Sequence, residues 1–263
     1  MSKHVSSVML LSLVLAVSNG CAKNDAHRLK VGVTSGAHAQ ILEVVAAEAL
    51  KKGVHVQVVE FSDYVQPNAA LADGSLDANS FQHLPYLEQQ RKDRGYRLTS
   101  IGTTVTFPIA AYSVRHEKLD ALPTGATIAI PNDPTNGARA LALLQTAGLI
   151  RLRTGAGPTP TPLDVEWSRG GFHFKELEAA QLARVLSDVD LAVINTNYAL
   201  EGGLDPFKGL VRESAQSPYA NVIAVRADDA GRAEFKTLVE AYHSPEVRQF
   251  IERTFKGAVV PAW

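Results

Sequence analysis

The sequence predicts an α/β protein built as two layered units, and three observations predict it. From Leu29 onward, short β-branched runs alternate with apolar-striped helical segments, the pattern of strands and helices stacked in layers. A second strand–helix series starts near residue 126. Between the two lies "RLTSIGTTVTFPIAAYSV", residues 97–114, broken by Pro108 and longer than the usual ~5–6 residue strand. That stretch reads as a crossing from one unit to the other.

In the first unit, "LKVGVT" reads as a strand, "GAHAQILEVVAAEALKK" as an amphipathic helix stopped at Gly53, and "VHVQVVEF" as a strand with alternating valines. "PNAALADG" is a short helix from Pro67 to Gly74, and "SLDANSF" returns to an extended run. "LPYLEQQRKDRG" forms the next helix, with Pro85 in the first turn, where a missing N–H is harmless, and Gly95 at the C-terminal end. The second series runs through the strand "ATIAIP", a helix from Pro134 to Ala147 stopped by Gly148, then "FHFKEL", "AAQLARVLS" and "DLAVIN" leading to "TNYALEGG". "ANVIAVR" returns toward the first unit, and "RAEFKTLVEAYHS" and "PEVRQFIERTF" close the chain as helices. The expected division is therefore domain I at 29–107 plus 222–263 and domain II at 108–221.

With 263 residues, 46% of them hydrophobic, the chain can bury a core in each unit. Its net charge of -1 argues against nucleic acid or an anionic membrane face as a partner. The N-terminus differs from the rest. A cationic "MSKH" precedes "VMLLSLVLAV", an apolar run too short to span a bilayer, so residues 1–20 read as an export signal. Cys21, the only cysteine, follows directly and cannot form an internal disulfide. It is either an ordinary thiol near a cleavage point or the acylated first residue of a lipoprotein, with residues 21–28 as anchor and polar tether. Ser18 and Asn19 stand where a leucine and a small residue are usual in a lipobox.

No metal or cofactor is expected: the eight histidines are scattered, without HExxH spacing or a cysteine pair. No GxSxG elbow is present, and no catalytic residue is assigned. "RTGAGPTPTP", 153–162, lacks the Lys-Ser/Thr ending of a phosphate loop and reads as a surface loop. What remains are polar and aromatic residues at strand ends and helix starts, where open α/β sheets bind ligands. "NDPTNGAR" places Asn136 and Arg139 near the free N–H groups of a helix start. There a guanidinium matches a carboxylate through two parallel hydrogen bonds; the alternative is an exposed arginine on a solvated face. Asn197, in "INTNYA", and Asn221, after "SPY", are either oxygen acceptors for an ammonium group or turn formers, and Asn195 is a helix cap. Tyr64, Phe81, His83 and Tyr86 either face one apolar, sulfur-bearing side chain or form a core cluster.

"FSDYVQPNAALADGSLDANSFQHLPYLEQQRKDRGY", "IAIPNDPTNGARALALLQTAGLI", "LAVINTNYA" and "SPYANVIAVR" closely resemble the methionine-binding lipoproteins of the MetQ/NlpA type, nearly continuously from Leu29 to Trp263. The resemblance implies a two-domain periplasmic-binding-protein fold, type II-like, with the ligand in a cleft between domains joined by crossing strands. It implies a non-enzymatic, monomeric receptor that delivers L-methionine to the permease and ATPase subunits of an ABC importer, lipid-anchored through Cys21 and facing the periplasm. Carried onto this chain, it implies that Arg139 and Asn136 hold the ligand carboxylate and that Asn197 and Asn221 bind the amino end. Tyr64, Phe81, His83 and Tyr86 would line the side-chain pocket. Other readings are a receptor for D-methionine, a methionine-containing dipeptide or a cystine-like compound, an enzyme on the same scaffold using His83, and an envelope protein with an idle cleft.

Overall fold

The structure, a computed structural model, describes residues 28–214 and 216–263; the expected signal 1–20 and Cys21 lie outside the described residues. The chain opens with β1 (Leu29–Thr34), α1 (Ala37–Lys51), β2 (Val56–Phe61), α2 (Gln66–Ala72), β3 (Ala78–His83), α3 (Leu84–Arg94) and β4 (Leu98–Thr106). It continues through β5 (Ala110–Tyr112), β6 (Thr127–Pro131), α4 (Pro134–Thr146), β7 (Ile150–Leu152), β8 (Val165–Ser168), β9 (His173–Leu177), β10 (Leu191–Ile194), α5 (Thr196–Glu201) and β11 (Val211–Arg212). It ends with β12 (Ala220–Arg226), α6 (Ala233–Tyr242), α7 (Pro245–Phe255) and β13 (Val260–Pro261).

Two mixed sheets result, in the orders β13-β4-β12-β3-β1-β2 and β11-β5-β10-β6-β9. In the first, β1 pairs in parallel with β2 and β3, while β12 runs antiparallel between β3 and β4. In the second, β6 lies parallel to β9 and β10, and β5 is antiparallel to β10 and β11. The chain changes sheet at 107–109, around Pro108, and returns through 213–219. A proline suits the break, because its missing N–H ends the ladder of β4 without leaving an orphan donor.

Each sheet is covered on both faces, which is why β1, β3, β6 and β10 read as runs of buried residues. Ile41, Leu42 and Val45 of α1 pack with Phe235, Leu238 and Ile251 of α6 and α7 on one side of the first sheet; Leu71, Leu76 and Leu87 cover the other. In the second sheet Leu141 and Leu144 of α4 pack on Ile128 and Ile130, and Leu182, Leu186 and Tyr198 cover the opposite face.

The structure departs from the sequence expectation in two places. "AAQLARVLS" folds as two single 3-10 turns, Ala179–Gln181 and Leu186–Asp188, instead of a helix, although its buried residues Ala179, Leu182 and Leu186 keep a helical spacing. The loop 153–162 connects a hairpin that the sequence does not announce, β7 with β8, whose antiparallel pairing runs from Ile150↔Ser168 to Leu152↔Val165. Three- and four-residue strands carrying exposed charges, such as Arg151 bonded to Glu166, have no readable period.

The turn after β6 depends on Gly137. A Cβ there would lie 2.9 Å from the Pro131 carbonyl oxygen, a backbone atom with little freedom to yield. Replacing an interior helical glycine with alanine ordinarily gains up to about 1 kcal/mol, but overpacking against backbone loses about 1–3 kcal/mol, and the loss dominates. Gly137→Ala is therefore expected to lower the urea midpoint, whereas an unchanged or raised midpoint would mean that α4 does not need this close approach.

Candidate functional site

The parallel strands β1 and β3 of one sheet and β6 and β10 of the other end at a shared gap, and the residues that follow those ends line a single cavity. Its wall includes Tyr64, Phe81, His83 and Tyr86 from the first sheet side and Asn136, Arg139 and Asn197 from the second, with Asn221 at the start of β12. The cavity has a volume of about 20 Å³. It is a narrow slot for a small ligand.

Its polar floor is the start of α4. Asp133 caps the helix, accepting from the Asn136 N–H at 2.9 Å and from the Asn136 side-chain amide at 3.0–3.1 Å. Burial pushes the Asp133 carboxyl upward, against the stabilising bonds it receives from Asn136 and Thr135. With its amide held this way, Asn136 turns its Oδ1 toward Asn195 Nδ2 at 2.8 Å and His83 Nε2 at 3.2 Å. Asn195 occupies the N-cap position of α5, yet its side chain does not cap the helix.

Arg139, one turn further on, is 3% exposed, so the solvated-face alternative is excluded. Its guanidinium is not free to fork onto an incoming carboxylate. Nε donates to Glu213 Oε1 at 3.0 Å and Nη2 to Glu213 Oε2; Nη2 also donates to the Phe107 carbonyl at 2.8 Å, and the Tyr219 ring lies 4.2 Å from the guanidinium carbon. Glu213 thus holds the bidentate edge that the sequence reading offered to a ligand. Nη1 has no protein partner among the described residues and is the atom available to an anion.

His83 caps α3, its Nδ1 accepting from the Tyr86 N–H at 3.1 Å. A backbone N–H can only donate, so the ring proton sits on Nε2 and is given to Asn136 Oδ1. Burial, helped by the charge of Arg139, pushes the His83 pKa down to about 3. It is neutral with both nitrogens engaged, which removes it as a general base. Beside it, Tyr64 lies 5.9 Å from Phe81, 6.1 Å from Tyr86 and 4.9 Å from Tyr198, ring centre to ring centre. Behind them Asn68, Asn79 and Gln82 bond amide to amide within 2.7–2.9 Å and fix β3 against α2.

The remaining asparagines differ from the sequence expectation atom by atom. Tyr64 donates its hydroxyl to Asn197 Oδ1 at 2.6 Å, so the oxygen expected to meet an ammonium is already used; the buried, unpartnered atom of Asn197 is the donor Nδ2. The buried, unpartnered acceptor is Asn195 Oδ1, on a residue read from sequence only as a cap. Asn221 keeps an acceptor: its Nδ2 donates to His38 Nε2 at 2.8 Å, which places the His38 proton on Nδ1, facing Thr34 Oγ1 at 2.7 Å. Burial lowers the His38 pKa to about 3. The wall therefore carries two buried atoms without a partner, the donor Asn197 Nδ2 and the acceptor Asn195 Oδ1, with Arg139, Asn221 and the rings alongside. Buried polar atoms left unmet destabilise a fold unless something binds them.

The structure brings together all eight residues singled out in the sequence. Sequence reasoning missed His38, Gln82 and Phe107 on the cavity wall and Glu213 and Tyr219 behind Arg139. His38 sits in the first turn of an apolar helix, and Glu213 in a polar stretch of ordinary composition, so neither has a local signal. Among the described residues, no three His, Cys, Asp or Glu side chains cluster so as to hold a metal ion.

Comparison with known proteins agrees with this architecture. The family model described as NlpA lipoprotein matches residues 29–263. The D-methionine-binding lipoprotein MetQ of Salmonella typhimurium is 47% identical over 258 residues, covering 96% of this chain and 94% of that protein; its counterpart in Escherichia coli is 46% identical over 258 residues, covering 97% and 95%. Among solved structures, a nutrient-binding protein from Burkholderia cenocepacia bound to methionine superimposes with a TM-score of 0.88 at 52% identity, covering 89% of this chain and 100% of that one. With a matched region that spans every element of both sheets, the chain belongs to the NlpA lipoprotein family, a family of binding proteins and not of enzymes.

Proposed function

We propose that this protein is the substrate-binding lipoprotein of an ABC importer and that it encloses methionine between its two sheets. The observation that carries the reading is the pair of unmet atoms on the slot wall, a donor on Asn197 and an acceptor on Asn195, with Arg139 and Asn221 on the same wall beside the rings of Tyr64, Phe81 and Tyr86. Such a wall is complementary to a zwitterion with an apolar, sulfur-bearing tail. The methionine-bound Burkholderia protein, at 52% identity, supports the same ligand.

On this reading Arg139 Nη1 and Asn197 Nδ2 take the carboxylate, with Asn136 holding Asn195 and His83 in place, and Asn195 and Asn221 accept from the ammonium. Residues 29–107 with 222–263 and residues 108–221 act as two domains that close by bending at 107–109 and 213–219. Tyr64 and Asn197 meet across the gap when closed. Cys21 carries the lipid that holds the receptor in the envelope, facing the periplasm, where it presents its cargo to the permease. Because the curated relatives are named for D-methionine, both enantiomers belong in the binding assays.

Small molecules released by denaturing freshly purified protein are expected, by mass spectrometry, to include unaltered methionine; a chemically converted product would instead indicate an enzyme. Arg139→Ala leaves Glu213 buried without its partner and removes the cation facing the carboxylate, and should cost roughly 2–5 kcal/mol of affinity. Calorimetry should therefore show methionine binding weakened by about 30-fold or more; an affinity within about threefold of wild type would refute the assignment. Burial holds His38 and His83 near pKa 3 in the closed slot, so both are neutral when a ligand is enclosed. With both neutral in the open form as well, their contribution predicts a dissociation constant that changes by less than about twofold between about pH 6 and pH 8. A change of tenfold over that window would show that a group in the slot titrates.

A further inference from the structure

Glu213 stands outside the slot yet controls its charge. It lies just past β11, on the connection 213–219, with its side chain 16% exposed. Its carboxylate accepts from Arg139 Nε at 3.0 Å and from Arg139 Nη2, and from the Ile109 N–H at 3.3 Å. Its own N–H donates to the Ile109 carbonyl at 2.9 Å. The residue therefore pins α4 to both crossings at once.

Two consequences follow for anything bound in the slot. The ligand's negative group reaches Nη1 only, because the bidentate edge is taken. And the positive charge of Arg139 is already balanced before the ligand arrives. Of the other titratable groups nearby, His38 and His83 are neutral, and the Asp133 carboxylate, bonded by the amide groups at the start of α4, supplies no positive charge that could offset an incoming anion. A ligand with zero net charge keeps the balance. A carboxylate without an ammonium brings an uncompensated negative charge into a poorly solvated space, where it is strongly disfavoured.

Resting on the amino-acid reading above, we propose that Glu213 is a positioning and charge-compensating residue that makes the site select amino acids over anions of the same shape that lack the ammonium group. Without it, one negative charge beside Arg139 is gone and the penalty on an anion falls.

The test compares methionine with 2-hydroxy-4-(methylsulfanyl)butanoate, which keeps the chain and the carboxylate and replaces the ammonium with a hydroxyl. Wild type should prefer methionine strongly by calorimetry. In Glu213→Gln, which preserves shape and removes the charge, the ratio of the two dissociation constants should fall at least about tenfold, with binding of the hydroxy acid held or strengthened. A purely structural role would weaken both compounds by the same factor, and a ratio within about threefold of wild type overturns the proposal. Glu213→Asp keeps the charge and should keep the ratio, whatever happens to overall affinity; a ratio lost in Glu213→Asp overturns the proposal even where Glu213→Gln fails to fold. Wild-type protein that binds neither compound would instead overturn the amino-acid reading itself, and the proposal with it.

Discussion

A guanidinium cannot be withdrawn from water alone, and much of this molecule's site is arranged around that constraint. Arg139 is almost fully buried at the start of α4. An isolated charge there would cost far more than the fold can supply. Glu213, the Phe107 carbonyl and the Tyr219 ring meet it, and all three come from the segments that pass between the sheets. The arginine that faces the slot is thus tied to the crossings, and the crossings are fixed in part by the arginine. The start of α4 lies close against the end of β6 because Gly137 has no side chain.

Two kinds of buried amide surround the slot, and their difference separates support from site. Asn68, Asn79 and Gln82 satisfy one another around a closed set of bonds and stiffen the strand that carries Phe81 and His83. Asn195 and Asn197 are left with one atom each unmet. Polar groups in a low-dielectric interior are valuable when matched and expensive when not. An unmet donor and an unmet acceptor thus stand on one turn, both on the wall of the slot.

Much of the fold was legible because its signals are local. The helices with Pro67, Pro134 and Pro245 in their first turn, the stops at Gly53, Gly95 and Gly148, and the proline-broken crossing at 97–114 each declare themselves within a few residues. The eight wall residues were legible too, because they stand at strand ends and helix starts. What stayed hidden is pairwise. Glu213 becomes meaningful only once residue 139 is beside it, 74 positions away in sequence, and the atom that Asn197 offers depends on Tyr64, 133 positions distant. The β7–β8 hairpin escaped for a different reason: strands of three and four residues are too short to establish a period.

The placement of β12 has a consequence for how the molecule is made. Residues 220–226 lie between β3 and β4, so the first sheet stays open until nearly the whole chain has been synthesised. α6 and α7, which complete the core over α1, come later still. Contacts this distant in sequence slow folding. For a precursor proposed to thread through a membrane before it becomes compact, slowness is an advantage: the N-terminal segments cannot lock into a finished lobe on the wrong side.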